Sequence, residues 1–299
     1  MTLTRISFIL SLWGDSMPEA SMEQIPIKYN KDYYVVQANE LIRSKQDDLT
    51  LLETKLIRLA ISQVLQDDTD FKTYTCSVPE LARFLGLSKN NVYRDIQDIS
   101  MSLMKKSIFI KSKEPNKRGK YNFEMFHWVD YVRYEDGIIT FRLSENLKPY
   151  LIGLDELFTK YGYGAVIELP TTYSIRLFEL LATYRNMPYK ERFKTNYTEI
   201  PIEHNEFIFT MDYLREYFNC NDKYNNSADF VSNVIDKAVK SICKKTFMRV
   251  SYRKVKEGKF IKYIVFKFDD WKDPNDNEFL KRLEAVKNKW DKTYNNESV

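Results

Sequence analysis

The chain has 299 residues and an apolar share of 43%, enough for two domains of ordinary size with buried cores. Gly and Pro are scarce, at 8 and 9 residues, against 21 Tyr and 19 Phe, which argues against a disordered or low-complexity protein. The net charge is only +4, yet between Lys223 and Lys267 there are 12 Lys/Arg against 3 Asp/Glu. Such a segment is either a polyanion-binding face or a solvated surface.

No stretch approaches the roughly 20 apolar residues of a membrane helix, so no membrane partner is expected. Cys76, Cys220 and Cys243 lie too far apart for a metal or redox motif and read as reduced thiols of a cytoplasmic protein. The short apolar run 6–13 follows Arg5 but is not read as a signal peptide. Met17 and Met22 are alternative starts, and residues 1–29 are expected to form a disordered leader.

The first helix is expected from Thr50. Thr50 and Glu53 have capping-box spacing, and Leu52, Leu56, Ile57, Leu59 and Val64 form its apolar stripe. A short strand over 71–78 leads to a second capping box, Ser77 with Glu80, and Pro79 sits in the first turn of a short helix. A turn at Gly86 separates it from a longer helix over 90–105, which buries Val92, Ile96, Ile99 and Leu103. The pair makes a helix-turn-helix. Runs over 108–113 and 121–128 read as two strands of a wing, and Asp136-Gly137 turns into a further strand over 138–143. Residues 146–165 are expected to connect this unit to the next.

The same order then returns. A helix is expected over 171–185, a strand over 207–209 and a short helix over 211–218 capped by Thr210. A long helix over 227–245 and strands over 248–255 and 260–268 follow. Thr54-Lys-Leu-Ile-Arg-Leu59 resembles Thr172-Tyr-Ser-Ile-Arg-Leu177 at an offset of 118, and Leu81-Ala-Arg-Phe-Leu85 resembles Leu214-Arg-Glu-Tyr-Phe218 at 133. Two matches in common order point to internal duplication. The expected fold is α+β, two tandem winged-helix domains over 30–150 and 151–270, followed by a polar tail over 271–299 with one helix near 278–290.

Catalytic chemistry finds little support. Gly119-Lys120 and Gly258-Lys259 lack the upstream glycine of a phosphate loop. His127 and His204 are isolated, so the His-hydrophobe-His metal site of a nicking enzyme cannot be written. The acidic residues are scattered. Neither an enzyme, a cofactor nor a metal is expected.

Duplex DNA is the favoured partner. On a 100° wheel, Phe230, Val231, Val234, Ile235, Ala238, Val239 and Ile242 form the core stripe of helix 227–245. Asn226, Asn233, Lys237, Lys240 and Lys244 lie opposite, with Lys223 just before the helix. Asn pairs with adenine edges and Lys with phosphate or guanine, so Asn226 and Asn233 are assigned to bases and the lysines to phosphates. Arg253, Lys254, Lys256 and Lys259 extend the face onto the second wing. In the first unit, Asn90, Arg94 and Gln97 are the helix candidates, but Asp95 and Asp98 repel phosphate. Its wing, with Lys117 and Arg118, carries 7 Lys/Arg against 1 Asp/Glu over 105–120. That unit either contacts DNA mainly by its wing or serves a protein interface.

On these elements the chain resembles the Rep_3 family of plasmid replication initiators, over roughly residues 33–270. The resemblance rests on Tyr34-Val-Val-Gln-Ala-Asn-Glu-Leu-Ile42, on Thr171-Thr-Tyr-Ser-Ile-Arg-Leu-Phe-Glu-Leu-Leu181, and on the run 230–242 with its following strand. It implies a protein that binds direct repeats, called iterons, at a plasmid origin as a monomer. It further implies melting of adjacent AT-rich DNA and recruitment of the host replicative helicase and host initiator. In equilibrium with the monomer, a homodimer joined through the first domain would repress its own gene. The second domain would hold the repeat more tightly. A dimeric transcriptional repressor with no replication role fits the same fold.

Overall fold

The computed structural model describes residues 24–28, 30, 33–85, 89–185, 200–203 and 205–269. Most of the expected leader, the turn at Gly86, His204 and the tail with its helix lie outside the described residues. Part of the leader is ordered: β1 (Gln24–Pro26) pairs in parallel with β4 (Thr73–Ser77). Strand β2 (Tyr34–Ala38), helix α1 (Asn39–Arg43) and the two-residue β3 (Lys45–Gln46) follow β1 in the chain.

The helix α2 (Leu51–Ile61) starts where its cap predicts. Thr50 Oγ1 accepts from the Glu53 amide at 3.2 Å, and Glu53 Oε2 accepts from the Thr50 amide at 2.7 Å, so two orphan donors are satisfied reciprocally. After β4 come α3 (Val78–Leu85) and α4 (Lys89–Leu103), with Ser77 and Glu80 exchanging amide bonds at the start of α3. Two hairpins follow. The first joins β5 (Ser107–Pro115) to β6 (Tyr121–His127), and the second joins β7 (Val129–Glu135) to β8 (Ile138–Leu143) through Asp136 and Gly137, both at positive φ.

Residues beyond 145 do not form a loose connection. Helix α5 (Lys148–Leu151) and strand β9 (Phe158–Gly162) are regular, and β9 pairs antiparallel with β2, Tyr34 facing Gly162. Helices α6 (Tyr163–Glu168) and α7 (Thr172–Arg185) follow. The second unit continues with β10 (Glu206–Thr210) and α8 (Met211–Tyr217), whose cap Thr210 accepts from the Tyr213 amide at 3.1 Å. A continuous helix α9 over 227–245 leads into the hairpin β11 (Val250–Glu257) and β12 (Phe260–Phe268).

Two winged helices are the result. In each, the short strand before the helix-turn-helix pairs with the last strand, which pairs with the one before it: β4-β8-β7 and β10-β12-β11. This order corrects the sequence reading of the first wing. The hairpin that matches β11–β12 is β7–β8, with the acidic turn Glu135-Asp136. The basic hairpin β5–β6 belongs to a separate sheet with β3. Lys117 and Arg118 sit at its tip, where the Asn116 side chain accepts from the Arg118 and Lys120 amides.

One continuous core runs through both units. The arginines of the internal repeat meet at their junction. Arg58 on α2 makes a forked, fully buried ion pair with Glu179 on α7, at 2.7 and 2.9 Å. The Glu179 carboxylate also accepts from the Tyr161 hydroxyl and from Gln37. The Arg58 guanidinium lies 5.0 Å from the Trp128 ring. Arg176, its counterpart, donates to the Ser44 carbonyl and stacks 4.1 Å from the Tyr217 ring.

Candidate nucleic-acid interface

The site is built on α9. Its core residues recur strictly every fourth position, 230-234-238-242 and 231-235-239. In an α-helix of 3.6 residues per turn that spacing drifts by about 40° per step. The segment Val231–Asp236 adopts a wider π-helical turn, flanked by α-helix over Ser227–Phe230 and Lys237–Lys245. The wider turn takes up the drift, and both rows stay buried along the whole helix. π-Turns within α-helices are rare and concentrate at functional sites.

The opposite face points outward. Lys237, Lys240 and Lys244 are exposed and Asn233 is half-buried. Lys237 donates to Asn233 Oδ1 at 2.8 Å, while Asn233 Nδ2 donates to the Asp229 carbonyl at 3.0 Å. Lys240 pairs with Asp236 at 2.8 Å. Pairs of this kind along an exposed helix are weak, so each ammonium can be shared with a phosphate. Asn226 is placed differently from the base-reading assignment: its Oδ1 caps the helix, accepting from the Asp229 amide at 2.8 Å.

On the wing, Lys254, Lys256 and Lys259 are exposed. Lys259 lies 5.3 Å from the ring of Phe260, which is itself exposed at the hairpin tip. Arg253 is committed elsewhere. It reaches across β12 to the buried Glu206 on β10 with two bonds of 3.1 Å, and donates to the Pro201 carbonyl at 2.9 Å. Burial alone would push the Glu206 carboxyl up, but the bonds from Arg253 outweigh it and hold it below its ordinary value.

The turn between α8 and α9 depends on residues that sequence reasoning did not single out. Arg215 donates to the carbonyls of Cys220, Lys223 and Tyr224 at 3.0, 3.1 and 2.9 Å, with its guanidinium 5.1 Å from the Phe230 ring. Asn219 and Tyr224 hold positive φ of 51° and 61°, a strained region for a Tyr that the surrounding bonds must maintain. A guanidinium can bridge three acceptors in one plane and an ammonium cannot. Arg215→Lys is therefore expected to cost about 1.5–3 kcal/mol and to speed amide exchange over 219–226. Denaturant titration with hydrogen exchange checks it, and unchanged exchange in that turn would contradict the assignment. The only sequence signal was a charged residue on a helix flanked by buried Leu214 and Tyr217.

Lys223 bonds to Asp48 at 2.7 Å. That bond raises the Lys223 ammonium above its ordinary value. Burial would push the Asp48 carboxyl up, but the bonds from Lys223 and Asn219 bring it below the usual carboxylate value.

The first unit presents a different face. The side chains of Asn90 and Arg94 lie outside the described residues. Gln97 is exposed beside Met101, Met104, Val132 and Tyr134, an apolar rather than a basic surface. The outer face of β6 shows Tyr121, Phe123 and Met125 to solvent, with Phe123 stacked on Phe109 at 5.0 Å. His127 is exposed at the end of β6. Among the described residues there is no cluster of His, Cys, Asp or Glu able to hold a metal, and no helix is long and apolar enough to cross a membrane.

Two family profiles match the chain. The family profile described as Initiator Replication protein, WH1, matches residues 34–182. The profile described as Initiator Rep protein, WH2, matches residues 210–268. The chain belongs to the replication initiator protein family. The first profile extends into α7, which holds in the second unit the place that α2 holds in the first. A 27.6 kDa uncharacterized protein of Escherichia coli is 23% identical over 252 residues, covering 80% of the initiator chain and 96% of that protein. The fold is similar to that of the chain in a crystal structure of the Pi initiator protein in complex with iteron DNA. The TM-score there is 0.58 at 20% identity, over 80% of this chain and 98% of the other.

Proposed function

We propose that this initiator binds direct repeats in double-stranded plasmid-origin DNA, with α9 in the major groove and the β11–β12 wing along the adjacent backbone. The observation that carries this reading is α9 itself. Its apolar rows are anchored in the core while Lys237, Lys240 and Lys244 stand exposed. In the proposed complex these lysines, with Lys254, Lys256 and Lys259, meet phosphates, and Asn233 meets a base edge. Lys117 and Arg118 add a backbone contact from the β5–β6 hairpin. Arg253 and Asn226 serve the site by holding the sheet and capping the helix.

The family and the fold likeness to a chain crystallised on iteron DNA support extending the reading. Occupied repeats promote melting of neighbouring AT-rich DNA, and the bound initiator recruits the host replicative helicase and host initiator. A homodimer in equilibrium with the monomer represses the initiator's own gene. The chain performs no covalent chemistry in this scheme.

Footprinting on the DNA flanking the gene tests the proposal. Protection of tandem direct repeats of about 20 bp is expected, because two modules side by side span about two helical turns. A footprint confined to one inverted repeat would move the assignment to a repressor. An origin plasmid that replicates equally well without the protein would overturn initiation.

A further inference from the structure

The turn that introduces α9 is fastened to the first unit at the Asp48 carboxylate and the Gln46 carbonyl. Asp48, just after β3, accepts from Lys223 Nζ on Oδ2 at 2.7 Å and from Asn219 Nδ2 on Oδ1 at 2.8 Å. Asn219 Nδ2 also reaches the Gln46 carbonyl at 2.6 Å, and Lys106 Nζ donates to the Asp48 carbonyl at 2.7 Å. Two anionic oxygens receiving one ammonium and one amide N–H reproduce the arrangement a DNA phosphate receives from a protein.

The contacts of the assigned lysines on α9 differ from it. Lys237 bonds to the Asn233 amide and Lys240 to Asp236, both on their own helix. Arg253 is held by Glu206, which is only 6% exposed. Lys223 and Asp48 are 48% and 57% exposed, and they join the two units. A pair so open to water is weak, and a DNA phosphate, equal in charge to the carboxylate but backed by the dense charge of the duplex, can replace it.

We propose that Asp48 occupies the place of a DNA phosphate on Lys223 and Asn219, a latch between the two winged helices that duplex DNA displaces. This rests on α9 being the DNA-reading helix. Asp48 then competes with DNA for Lys223, and occupation of the second unit by DNA releases the 45–49 segment of the first.

Duplex binding by the full chain tests the latch, with Asp48→Asn, Lys223→Ala and the double variant titrated against a duplex of about three helical turns carrying the footprinted repeat. Asp48→Asn is expected to bind about threefold to tenfold more tightly at about 0.1 M salt, and Lys223→Ala to lose about one unit of salt slope. The double variant should bind no more tightly than Lys223→Ala. Unchanged affinity in Asp48→Asn overturns the latch. So does a gain that survives in the Lys223→Ala background, since that would be a general effect of removing a negative charge. If the wild-type chain bound no duplex, the DNA-reading assignment would fall with it. If the wild type binds and only the Asp48 result fails, the latch alone is lost.

Discussion

Replacing Glu179 by Leu is expected to lower the unfolding free energy by about 3–5 kcal/mol, the cost of leaving a buried charge without its partner. Arg58 and Glu179 are each 1% exposed, and their forked contact is the centre of the polar network joining α2 to α7. The truncation strands the guanidinium in the core and removes the acceptor of Tyr161 and Gln37. At this chain length the thermal midpoint should fall by about 10 °C. The double variant Arg58→Met/Glu179→Leu should recover most of the loss, because an apolar pair of similar volume removes the desolvation cost of both charges. The pair also sets an acid limit. Burial would raise the Glu179 carboxyl, but the Arg58 guanidinium outweighs it and holds the carboxyl below its ordinary value of 4.5. A carboxylate depressed in the folded state contributes stability above its unfolded value, and that contribution is lost as pH falls through the folded one. Wild-type stability should therefore drop below about pH 4.5, and the drop should be smaller in the double variant. Denaturant titrations across pH check both, and a Glu179→Leu loss under about 1 kcal/mol would refute the role given to the pair.

Much of the fold was legible because local rules and global packing agree. The capping boxes at Thr50 and Ser77, the cap at Thr210 and the core stripe of α9 are short-range signals, and each stands where its pattern places it. What the pattern missed depends on distant partners. Strand β9 exists because Tyr34–Ala38 lies beside it, and nothing within 146–165 announces a partner more than a hundred residues upstream. The sequence pattern points to β5–β6 as the first wing because it gives no strand over 129–135, where β7 stands. Only the register of β4 on β8, Tyr74 opposite Phe141, selects the β7–β8 hairpin. At the site, the wheel separated core from surface correctly but could not say which polar residues were already engaged. Arg253 and Asn226 carry the right chemistry for DNA, yet one is tied to Glu206 and the other caps α9. Arg58 and Glu179 did leave a trace, a charge set between apolar neighbours in each helix, Ile57 and Leu59 in one and Phe178 and Leu180 in the other, since such a residue is buried only with a partner.

Replacing Lys237 and Lys240 together by Ala is expected to weaken duplex binding about 30-fold at about 0.15 M salt and to reduce the salt slope by about two units. Each ammonium that meets a phosphate releases condensed counterions, so the loss should be the same on a repeat and on scrambled DNA. Their present partners, Asn233 and Asp236, do not cancel this effect. Both contacts are exposed and lie within one helix, so a lysine side chain can turn to phosphate at little cost. Asn233→Ala should behave in the opposite way. It leaves the salt slope intact but lowers the ratio of repeat to scrambled affinity, by about 1–3 kcal/mol if its amide makes a bidentate base contact. Salt titrations of both variants on both duplexes separate the two roles. An unchanged slope in the lysine variant would remove α9 from the phosphate backbone. A constant affinity ratio in Asn233→Ala would leave that side chain as a brace between Asp229 and Lys237, with sequence read elsewhere on the helix.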